Sequence, residues 1–254
     1  MKRASISAVI ITYNEEENIR RCLDSVKWVD EIVVVDGYST DKTIDIANEY
    51  GAKVVKHKFE GDFGLERNIG NQNATGDWVL ALDADEEIPP KTREEIEKIL
   101  NEGTEFSGYN VFRDQFFLGR LMEHGGRRHR IINFYRREKT VFDGKVHHLV
   151  KVDGKVKDAD FAINHYPFNS LNQFIQKHDR YTRYEAEEMY EKYGKTKSGE
   201  IRYNLTWKPL KIFFKTYLKK KGYKDGLHGL IFCILFSWGY FLRWAKYWEL
   251  CNKK

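Results

Sequence analysis

Two aspartates at the end of a predicted buried strand are the residues of this chain best placed to bind a metal ion. Asp83 and Asp85 directly follow the apolar run Trp78 to Leu82 and stand two positions apart. Two carboxylates at this spacing can both address one hard cation, and diphosphate oxygens can complete its coordination. The cation would neutralise a departing diphosphate. The alternative is an acidic turn before a helix, in which Asp85 or Glu86 faces the helix dipole.

Asp36 ends another apolar run, Glu31 to Asp36, and is a candidate for contact with a nucleoside. A carboxylate at a strand end can accept a hydrogen bond from a base N–H or a ribose hydroxyl. An Asx turn with Gly37 is the alternative role. The chain has neither a GxGxxG after its first strand nor a GxxxxGK[ST] pattern. This disfavours a dinucleotide oxidoreductase and a P-loop NTPase.

The elements that must position these residues alternate between strand and helix over the first hundred residues. Helix signals separate four predicted strands. Three are apolar runs typical of buried strands, at Ile6–Thr12, Glu31–Asp36 and Trp78–Leu82, and a short strand is predicted at Lys53–His57. Repeated βα units imply a parallel sheet with helices on both faces. Because the carboxyl ends of parallel strands share one edge, the polar residues after the first, second and fourth strands should converge there.

Capping residues predict where helices begin. Asn14 should cap a helix from about Glu15 to Val26, with three acidic residues in its first turn. Ser170 should cap a long amphipathic helix that runs to about Tyr193.

The pattern between these helices is different. Residues 104–166 are rich in strand signals, with turn signals at Asp143-Gly144 and Asp153-Gly154. The predicted organisation is an α/β domain over residues 1–168 and a helical region over residues 169–254.

The charge of the chain is strongly uneven. Its 254 residues carry a net charge of +5, but residues 1–125 are acidic and residues 126–254 are basic. An acidic half suits a bound cation, and a basic half suits phosphates on a soluble anion or a membrane. No RRM, KH or helix-turn-helix pattern accompanies the arginines, so we expect no nucleic-acid partner. Three scattered cysteines and no signal-peptide pattern at the N-terminus favour a reducing compartment.

The C-terminal region predicts contact with a membrane. Residues 207–224 contain seven lysines and no acid. Several of these lysines share a helical face, and Leu210, Phe213, Phe214 and Tyr217 offer an apolar one, a pattern typical of a helix at an anionic membrane surface. The next apolar run, Leu227 to Leu242, has 16 residues, below the roughly 20 needed to cross a bilayer. An interfacial or re-entrant anchor is therefore favoured over a buried core helix or a true span.

Five motifs together resemble one known family. They are Ile11-Thr12-Tyr13-Asn14-Glu15, Val35-Asp36-Gly37-Tyr38-Ser39-Thr40-Asp41, Glu66-Arg67-Asn68, Ala74-Thr75-Gly76-Asp77-Trp78 and Leu82-Asp83-Ala84-Asp85. Their order and approximate spacing are similar to those of the N-terminal half of the family 2, GT-A-fold, inverting glycosyltransferases. Later stretches, including Phe117-Leu118-Gly119-Arg120 and Val146-His147, resemble the lipopolysaccharide core glucosyltransferase-like branch. The resemblance implies a GT-A, Rossmann-like, mostly parallel sheet followed by a helical membrane-associating appendage.

The resemblance also implies roles for single residues. Metal ligands would be Asp83 and Asp85, with Glu87 and His165 as weaker candidates, and the metal would be Mg²⁺ or Mn²⁺. The alternative role of His165 is that of a hydrogen-bonded core histidine. The nucleotide sugar would be bound by residues of the five motifs, namely Thr12, Tyr13, Asn14, Glu15, Asp36, Arg67, Asp83 and Ala84.

One departure from the branch concerns the general base. The branch usually reads Val-His-Glu where this chain has Val146-His147-His148. An inverting transfer needs a base within hydrogen-bond reach of the acceptor hydroxyl, and a histidine can serve near neutral pH. His148 is slightly favoured over Asp143, and a strand in which neither is catalytic remains an alternative.

These interpretations together predict a metal-dependent, inverting transfer of a hexose. The donor would be a nucleoside diphosphate sugar, a UDP-sugar being favoured, and the acceptor a hydroxyl of a lipid-linked or lipid-anchored glycan. The protein would lie at the cytoplasmic face of a membrane, as a peripheral or monotopic protein. The alternatives are a nucleotidyltransferase that makes a sugar nucleotide and a non-enzymatic, membrane-tethered module that binds nucleotide sugars.

Overall fold

The computed structural model describes residues 3–126, 128–143 and 149–253, which group into two compact units. Unit 1 comprises Met1–Asp114 and His129–Tyr166, and unit 2 comprises Gln115–Arg128 and Pro167–Lys254.

Strands and helices alternate over the first hundred residues, as the apolar runs predict. The elements are β1 (Ile6–Thr12), α1 (Ile19–Ser25), β2 (Glu31–Asp36), α2 (Thr43–Glu49), β3 (Lys53–Lys56), α3 (Phe63–Asn73), β4 (Trp78–Asp83), β5 (Glu86–Glu87) and α4 (Pro90–Glu102). The later strands are β6 (Gly108–Phe117), β7 (Arg120–Leu121), β8 (His129–Arg136), β9 (Thr140–Asp143), β10 (Leu149–Val152) and β11 (Val156–His165).

The main sheet is parallel at one end and antiparallel at the other. Its strand order is β3-β2-β1-β4-β8-β6-β11-β5, with β7 paired to β6. Strands β1 to β4 pair in parallel, and β8 pairs with both β4 and β6 in the antiparallel sense. A separate two-stranded sheet joins β9 and β10. The predicted α/β fold class is confirmed.

Helices cover both faces of the parallel strands because alternate residues of each strand face opposite ways. Ile6, Ala8 and Ile10 pack with Leu23 and other residues of α1, α2 and α4 in one core cluster. Val9 belongs to a second cluster on the other face. There α3 approaches so closely that a Cβ on Gly70 would lie 2.2 Å from a methyl of Val9.

The first helix begins later than the sequence predicts. Asn14 does not cap it, since α1 starts at Ile19 and residues 16–18 form a turn. Asn14 has a φ of 52°, and its side chain instead accepts a hydrogen bond from the backbone N–H of Thr40. The capping amide is therefore used to join two loops. The predicted cap of the long helix is confirmed, because Ser170 Oγ accepts from the N–H of Gln173.

Unit 2 is built mainly from helices. They are α5 (Leu171–Tyr193), α6 (Ser198–Leu205), α7 (Trp207–Phe214) and α8 (Gly226–Asn252), with a π-helical turn at Lys215–Lys219 and a 3₁₀ turn at Gly222–Asp225 between the last two. Phe232 of α8 packs edge-on against Phe117, with ring centroids 5.0 Å apart.

The apolar C-terminal segment lies within a longer helix. The run of 16 residues is part of a helix of 27 residues, because amphipathic residues continue the helix to Asn252. By length and composition alone, the segment Gly222–Asn252 is long and apolar enough to cross a membrane.

A glycine fixes the approach of β4 to β1, and this contact supports a prediction about stability. A Cβ on Gly76 would lie 2.6 Å from the backbone nitrogen of Ser7. We expect Gly76→Ala to lower the free energy of unfolding by about 1–3 kcal/mol, because backbone atoms must shift to admit the methyl group. Urea denaturation followed by circular dichroism measures the change.

The matched control is Gly108→Ala in the same unit. A Cβ on Gly108 would meet its nearest neighbours at 3.6 Å, an ordinary van der Waals contact. We expect its unfolding midpoint to stay close to that of the wild type. Equal midpoints for both variants would show that the backbone at Gly76 is not tightly packed.

Candidate functional site

The end of β4 brings Asp83 to the edge of the sheet at which β1 and β2 also end. Asp83 lies opposite Ile11 in the parallel register, and Thr12 lies opposite Asp36. The N–H of Ala84 donates to the carbonyl of Ile11, which fixes the start of the turn. The predicted convergence of these strand ends is observed.

A short antiparallel pairing places His165 beside the aspartates. Glu86 pairs with His165 at the end of β11, and the N–H of Tyr166 donates to the carbonyl of Asp85. His165 Nε2 consequently lies 3.3 Å from Asp85 Oδ1. One ligand atom from each of Asp83, Asp85 and His165 lies within 4.8 Å of the others, and we call these three residues the ligand cluster.

The chemistry of the ligand cluster fits a divalent cation. Carboxylate oxygens suit Mg²⁺ and Mn²⁺, and an imidazole nitrogen is a common ligand of transition metals. Burial and the neighbouring Arg113 lower the pKa of His165, so the ring is neutral and can donate a lone pair near pH 7. The other ring nitrogen, Nδ1, is buried and has no hydrogen-bond partner among the described residues.

Two arginines hold the carboxylate of Asp83. Arg67 Nη2 lies 2.8 Å from Oδ1, and Arg113 Nη2 lies 2.5 Å from Oδ2. Burial acts to raise the pKa of Asp83, but Arg67 and then Arg113 outweigh it, and the pKa is lowered. Asp83 is therefore ionised at neutral pH and already faces two positive charges.

The buried Glu86 organises the turn that follows β4. Its Oε2 accepts from the N–H of Asp83, and its Oε1 lies 2.6 Å from Arg113 Nε. Burial raises the pKa of Glu86 to about 7, and the charge of Asp83 acts in the same direction. Neither Glu86 nor Arg113 was predicted as a site residue. The available signal for Arg113 was a charged residue within the strand-rich stretch 104–166.

Glu87, the third candidate metal ligand of the sequence analysis, is directed elsewhere. Its Oε2 accepts from Tyr166 Oη at 2.8 Å and from Asn164 Nδ2 at 3.4 Å. Arg21 stacks on the ring of Tyr166, with 3.9 Å between the guanidinium carbon and the ring centroid. The structure does not bring Glu87 into the ligand cluster.

The residues after β1 and β2 form two connected loops. The N–H of Asn14 donates to Ser39 Oγ, and the N–H of Glu15 donates to Thr43 Oγ1. The Glu15 carboxylate accepts from Asn18 Nδ2. Asn14 and Glu15 thus use these groups to join the loops.

The other predicted nucleotide-binding residues line the same edge. Thr12 Oγ1 is buried without a hydrogen-bond partner among the residues described, whereas Tyr13 is 37% exposed. Asp36 is fully buried, and both of its oxygens accept from the N–H of Ser39. The carboxylate therefore folds the loop after β2 through the N–H three residues on, and not through the N–H two residues on that defines the Asx turn considered for Asp36. Arg67 Nη1, like Thr12 Oγ1, is buried and has no hydrogen-bond partner in the described part of the chain.

Residues 7–153 match the model of the family described as Glycosyl transferase family 2. The chain belongs to glycosyl transferase family 2. It is 32% identical to an uncharacterized glycosyltransferase of Rickettsia bellii, over 97% of this chain and 88% of that protein. It is 27% identical to the lipopolysaccharide core biosynthesis glycosyltransferase LpsC of Rhizobium meliloti, over 96% of this chain and 92% of that protein.

A solved structure is also similar over part of the chain. Glucosyl-3-phosphoglycerate synthase from Mycobacterium tuberculosis, in complex with Mn²⁺, UDP and glucosyl-3-phosphoglycerate, is 28% identical over 43% of this chain and 44% of its own, with a TM-score of 0.38.

The family membership confirms the resemblance that the five sequence motifs indicated. It also favours a glycosyltransferase over the two alternatives, a nucleotidyltransferase and a non-enzymatic module.

Of the two candidate bases of this glycosyltransferase, only Asp143 lies among the described residues, and His148 lies outside them. Asp143 ends β9, is largely exposed, and lies 2.6 Å from Lys151 Nζ. The preceding residue, Phe142, is fixed by Asn68, whose side chain bonds both its N–H and its carbonyl. The end of β9 therefore lies next to α3, the helix that carries Arg67.

Proposed function

We propose that this glycosyltransferase moves a hexose from a nucleoside diphosphate sugar to a hydroxyl of a lipid-linked or lipid-anchored glycan, with inversion and with a divalent metal. A UDP-sugar is the favoured donor. The observation that carries the proposal is the ligand cluster, which lies at the carboxyl edge of a parallel sheet with Arg67 beside it. Ligands of open α/β sheets bind at this edge.

Different residues at this edge of the sheet would bind different parts of the donor. Asp83, Asp85 and His165 would hold Mg²⁺ or Mn²⁺, which when bound supplies charge neutralisation to the departing diphosphate. Arg67 has a buried N–H donor to offer a phosphate oxygen. Thr12, Tyr13 and Asp36 would line the nucleoside pocket, with Asp36 fixing the loop through Ser39. Asn14 and Glu15 would contribute mainly by joining the two loops.

Deprotonation of the acceptor hydroxyl is assigned to His148, with Asp143 as the other candidate. A base must reach the hydroxyl on the side of the sugar opposite to the leaving diphosphate. Asn68 fixes the end of β9 beside α3, and His148 follows β9 by five positions along the chain, which supports a base near the donor. Asp143 is exposed at the surface and already pairs with Lys151.

The proposed acceptor follows from a relative and from the surface of unit 2. The relative LpsC bears a name from lipopolysaccharide core biosynthesis, in which the acceptor is anchored in a lipid. Unit 2 exposes an apolar stripe at helical spacing on α6, α7 and the π-helical turn. The stripe consists of Tyr203, Trp207, Leu210, Phe214 and Leu218. Apolar residues in such a stripe are typical of a helix that lies in a membrane interface.

Lysines accompany the stripe and favour an anionic membrane as its partner. Lys211, Lys215 and Lys219 are exposed on the same segment. Each lysine near an anionic surface contributes about 1 kcal/mol.

The longer helix α8 is better explained as part of the protein than as a membrane span. Lys246 Nζ lies 2.8 Å from Asp179 Oδ1 and donates to Thr182 Oγ1, and Arg243 lies 3.4 Å from Glu185. These ion pairs attach the C-terminal part of α8 to α5, and a span would carry them into the bilayer at high cost. We therefore propose a peripheral or monotopic protein at the cytoplasmic face.

Point variants test the membrane surface more sharply than truncation, because loss of α8 would expose the core of unit 2. We expect the wild-type protein to co-sediment with vesicles that contain anionic lipid. The triple variant Trp207→Asp, Leu210→Asp, Phe214→Asp should lose most of this binding. It removes the apolar contact and adds three negative charges, which lowers the net charge of the segment by three.

The control for this experiment is Leu171→Asp, which changes an exposed leucine at the start of α5. An acid in the first turn of a helix is well tolerated, so vesicle binding should stay near the wild-type level. Wild-type protein that stays in the supernatant at low salt would contradict the membrane proposal. Vesicle binding by the triple variant equal to that of the wild type would contradict the assignment of the stripe.

The enzymatic proposal is tested by incubating the full-length protein with a panel of nucleotide sugars and Mn²⁺ or Mg²⁺. Release of the nucleoside diphosphate is measured with and without a lipid-anchored glycan acceptor. We expect release with one UDP-sugar, faster when acceptor is present, and its loss on addition of EDTA. Undiminished release in EDTA would contradict the metal role. If no acceptor accelerates release of the nucleoside diphosphate, the activity is hydrolysis of the donor, and sugar transfer to that acceptor is contradicted.

A further inference from the structure

The two arginines at Asp83 are held in different ways. Arg113 lies between Asp83 and the fully buried Glu86, at 2.5 Å and 2.6 Å respectively. Burial opposes the charge of Arg113, but Glu86 and Asp83 outweigh it and raise its pKa. Arg67, in contrast, has a buried Nη1 with no hydrogen-bond partner among the described residues. Arg113 is thus fixed on the carboxylates, whereas Arg67 keeps a donor for an incoming anion.

Both oxygens of Asp83 are occupied by these guanidinium groups. A cation that uses Asp83 must therefore share it with Arg113 or Arg67. Counted as ionised, the carboxylates of Asp83 and Glu86 balance the two guanidiniums that contact them, which leaves the charge of Asp85, beside His165, for a divalent cation to meet. A cation alone would leave an excess of positive charge, and a nucleoside diphosphate would remove that excess.

We propose that Arg113 is a positioning residue that makes cation binding at the ligand cluster depend on the nucleotide. This inference rests on the proposed function, since the ligand cluster is taken to be the metal site. Arg113 keeps the affinity for the cation low when no donor is bound. The diphosphate draws Arg67 toward its oxygens and restores the charge balance. Metal and nucleotide then strengthen each other's binding by the same factor, because coupling between two sites is reciprocal.

The test is Mn²⁺ binding to the full-length protein, measured by calorimetry or by the EPR signal of free Mn²⁺, with and without UDP. In the wild type, UDP should increase the affinity for Mn²⁺. In Arg113→Gln, Mn²⁺ should bind about tenfold more tightly than in the wild type when UDP is absent. A charge at contact distance shifts the equilibrium of a neighbouring carboxylate by roughly 10- to 1000-fold, and tenfold is the low end of this range. The increase caused by UDP should shrink by the same factor.

Two control variants distinguish the proposed role of Arg113 from a simple loss of structure. Arg113→Lys keeps the charge but cannot reach both carboxylates with a planar fork, and it should restore most of the nucleotide dependence. Arg130→Gln removes an arginine of the same sheet that pairs with Asp158, 3.2 Å away, and should bind Mn²⁺ as the wild type does.

Each outcome decides one point. Equal Mn²⁺ affinity of the wild type and Arg113→Gln without UDP would overturn the role of Arg113 and leave the proposed function intact. If Arg113→Gln does not fold, wild-type Mn²⁺ affinity that is insensitive to UDP would overturn the inference. Failure of the wild type to bind Mn²⁺ even with UDP would contradict the metal site itself, and the inference with it.

Discussion

Asp85→Asn is expected to lower the rate of sugar transfer by roughly 10³-fold or more. The variant keeps the shape of the side chain and the backbone bond from Tyr166 but removes a charged ligand from the cluster. Loss of metal-assisted charge stabilisation costs several kcal/mol, and about 4 kcal/mol corresponds to this factor. The rate of UDP release in saturating donor and Mn²⁺ measures the effect, and EDTA should produce the same loss in the wild type.

Asp83→Asn should also abolish transfer, but it is a less clean test. Its carboxylate lies against Arg67 and Arg113, so the variant leaves two partly buried guanidiniums with less counter-charge. We expect it to lower stability as well as activity. Asp158→Asn is the control, since Asp158 is an exposed acid on β11 that pairs with Arg130. Full activity of Asp85→Asn in the presence of EDTA would contradict the metal role.

His148→Ala is expected to lower kcat by roughly 10²- to 10⁴-fold, the usual contribution of a general base. Donor binding should change little, because His148 is assigned to the acceptor. The pH–rate profile of the wild type should rise through the range in which histidine loses its proton, and the variant should lose that limb. Steady-state kinetics from pH 5 to pH 9 with the same donor provide the measurement.

The competing assignment is tested in parallel. Asp143→Asn should leave kcat within a few-fold of the wild type if His148 is the base. A wild-type rate for His148→Ala together with a large loss for Asp143→Asn would transfer the role to Asp143. His129→Ala changes an exposed histidine on β8 and should leave the profile unchanged.

The sequence predicted the parts of the fold that depend on local patterns. Continuous apolar runs mark the buried strands β1, β2 and β4, since both faces of these strands are covered by helices. Strand order follows from short βα connections, which bring the ends of these strands to one edge. Asp36 and Asp83 were therefore placed correctly from their position along the chain alone.

Features that depend on contacts between distant segments were missed. Asn14 has the residue type of a helix cap, but its amide is used by Thr40, 26 residues away. Arg113 and Glu86 meet only because β6 enters the sheet between β8 and β11, and β11 is the strand that pairs with β5. His165 was suggested by resemblance, and its contact with Asp85 results from the pairing of β5 with β11.

The character of the C-terminal helix also depends on long-range contacts. Hydrophobicity around the whole of α8 is compatible with a span, a core helix or an interfacial helix. In the sequence, Arg243 and Lys246 end the apolar run of 16 residues. Their ion pairs with α5 show that the helix continues and packs within unit 2.

Calorimetric binding of the favoured UDP-sugar to the wild type and to Asp85→Asn, each with and without Mn²⁺, tests the central claim most directly. The ligand cluster predicts that the wild type binds the donor tightly only with Mn²⁺, and that Asp85→Asn shows no such gain. Circular dichroism should show the same fold for both proteins. Donor binding of equal strength in all four experiments would contradict a metal-dependent nucleotide-sugar site at Asp83, Asp85 and His165.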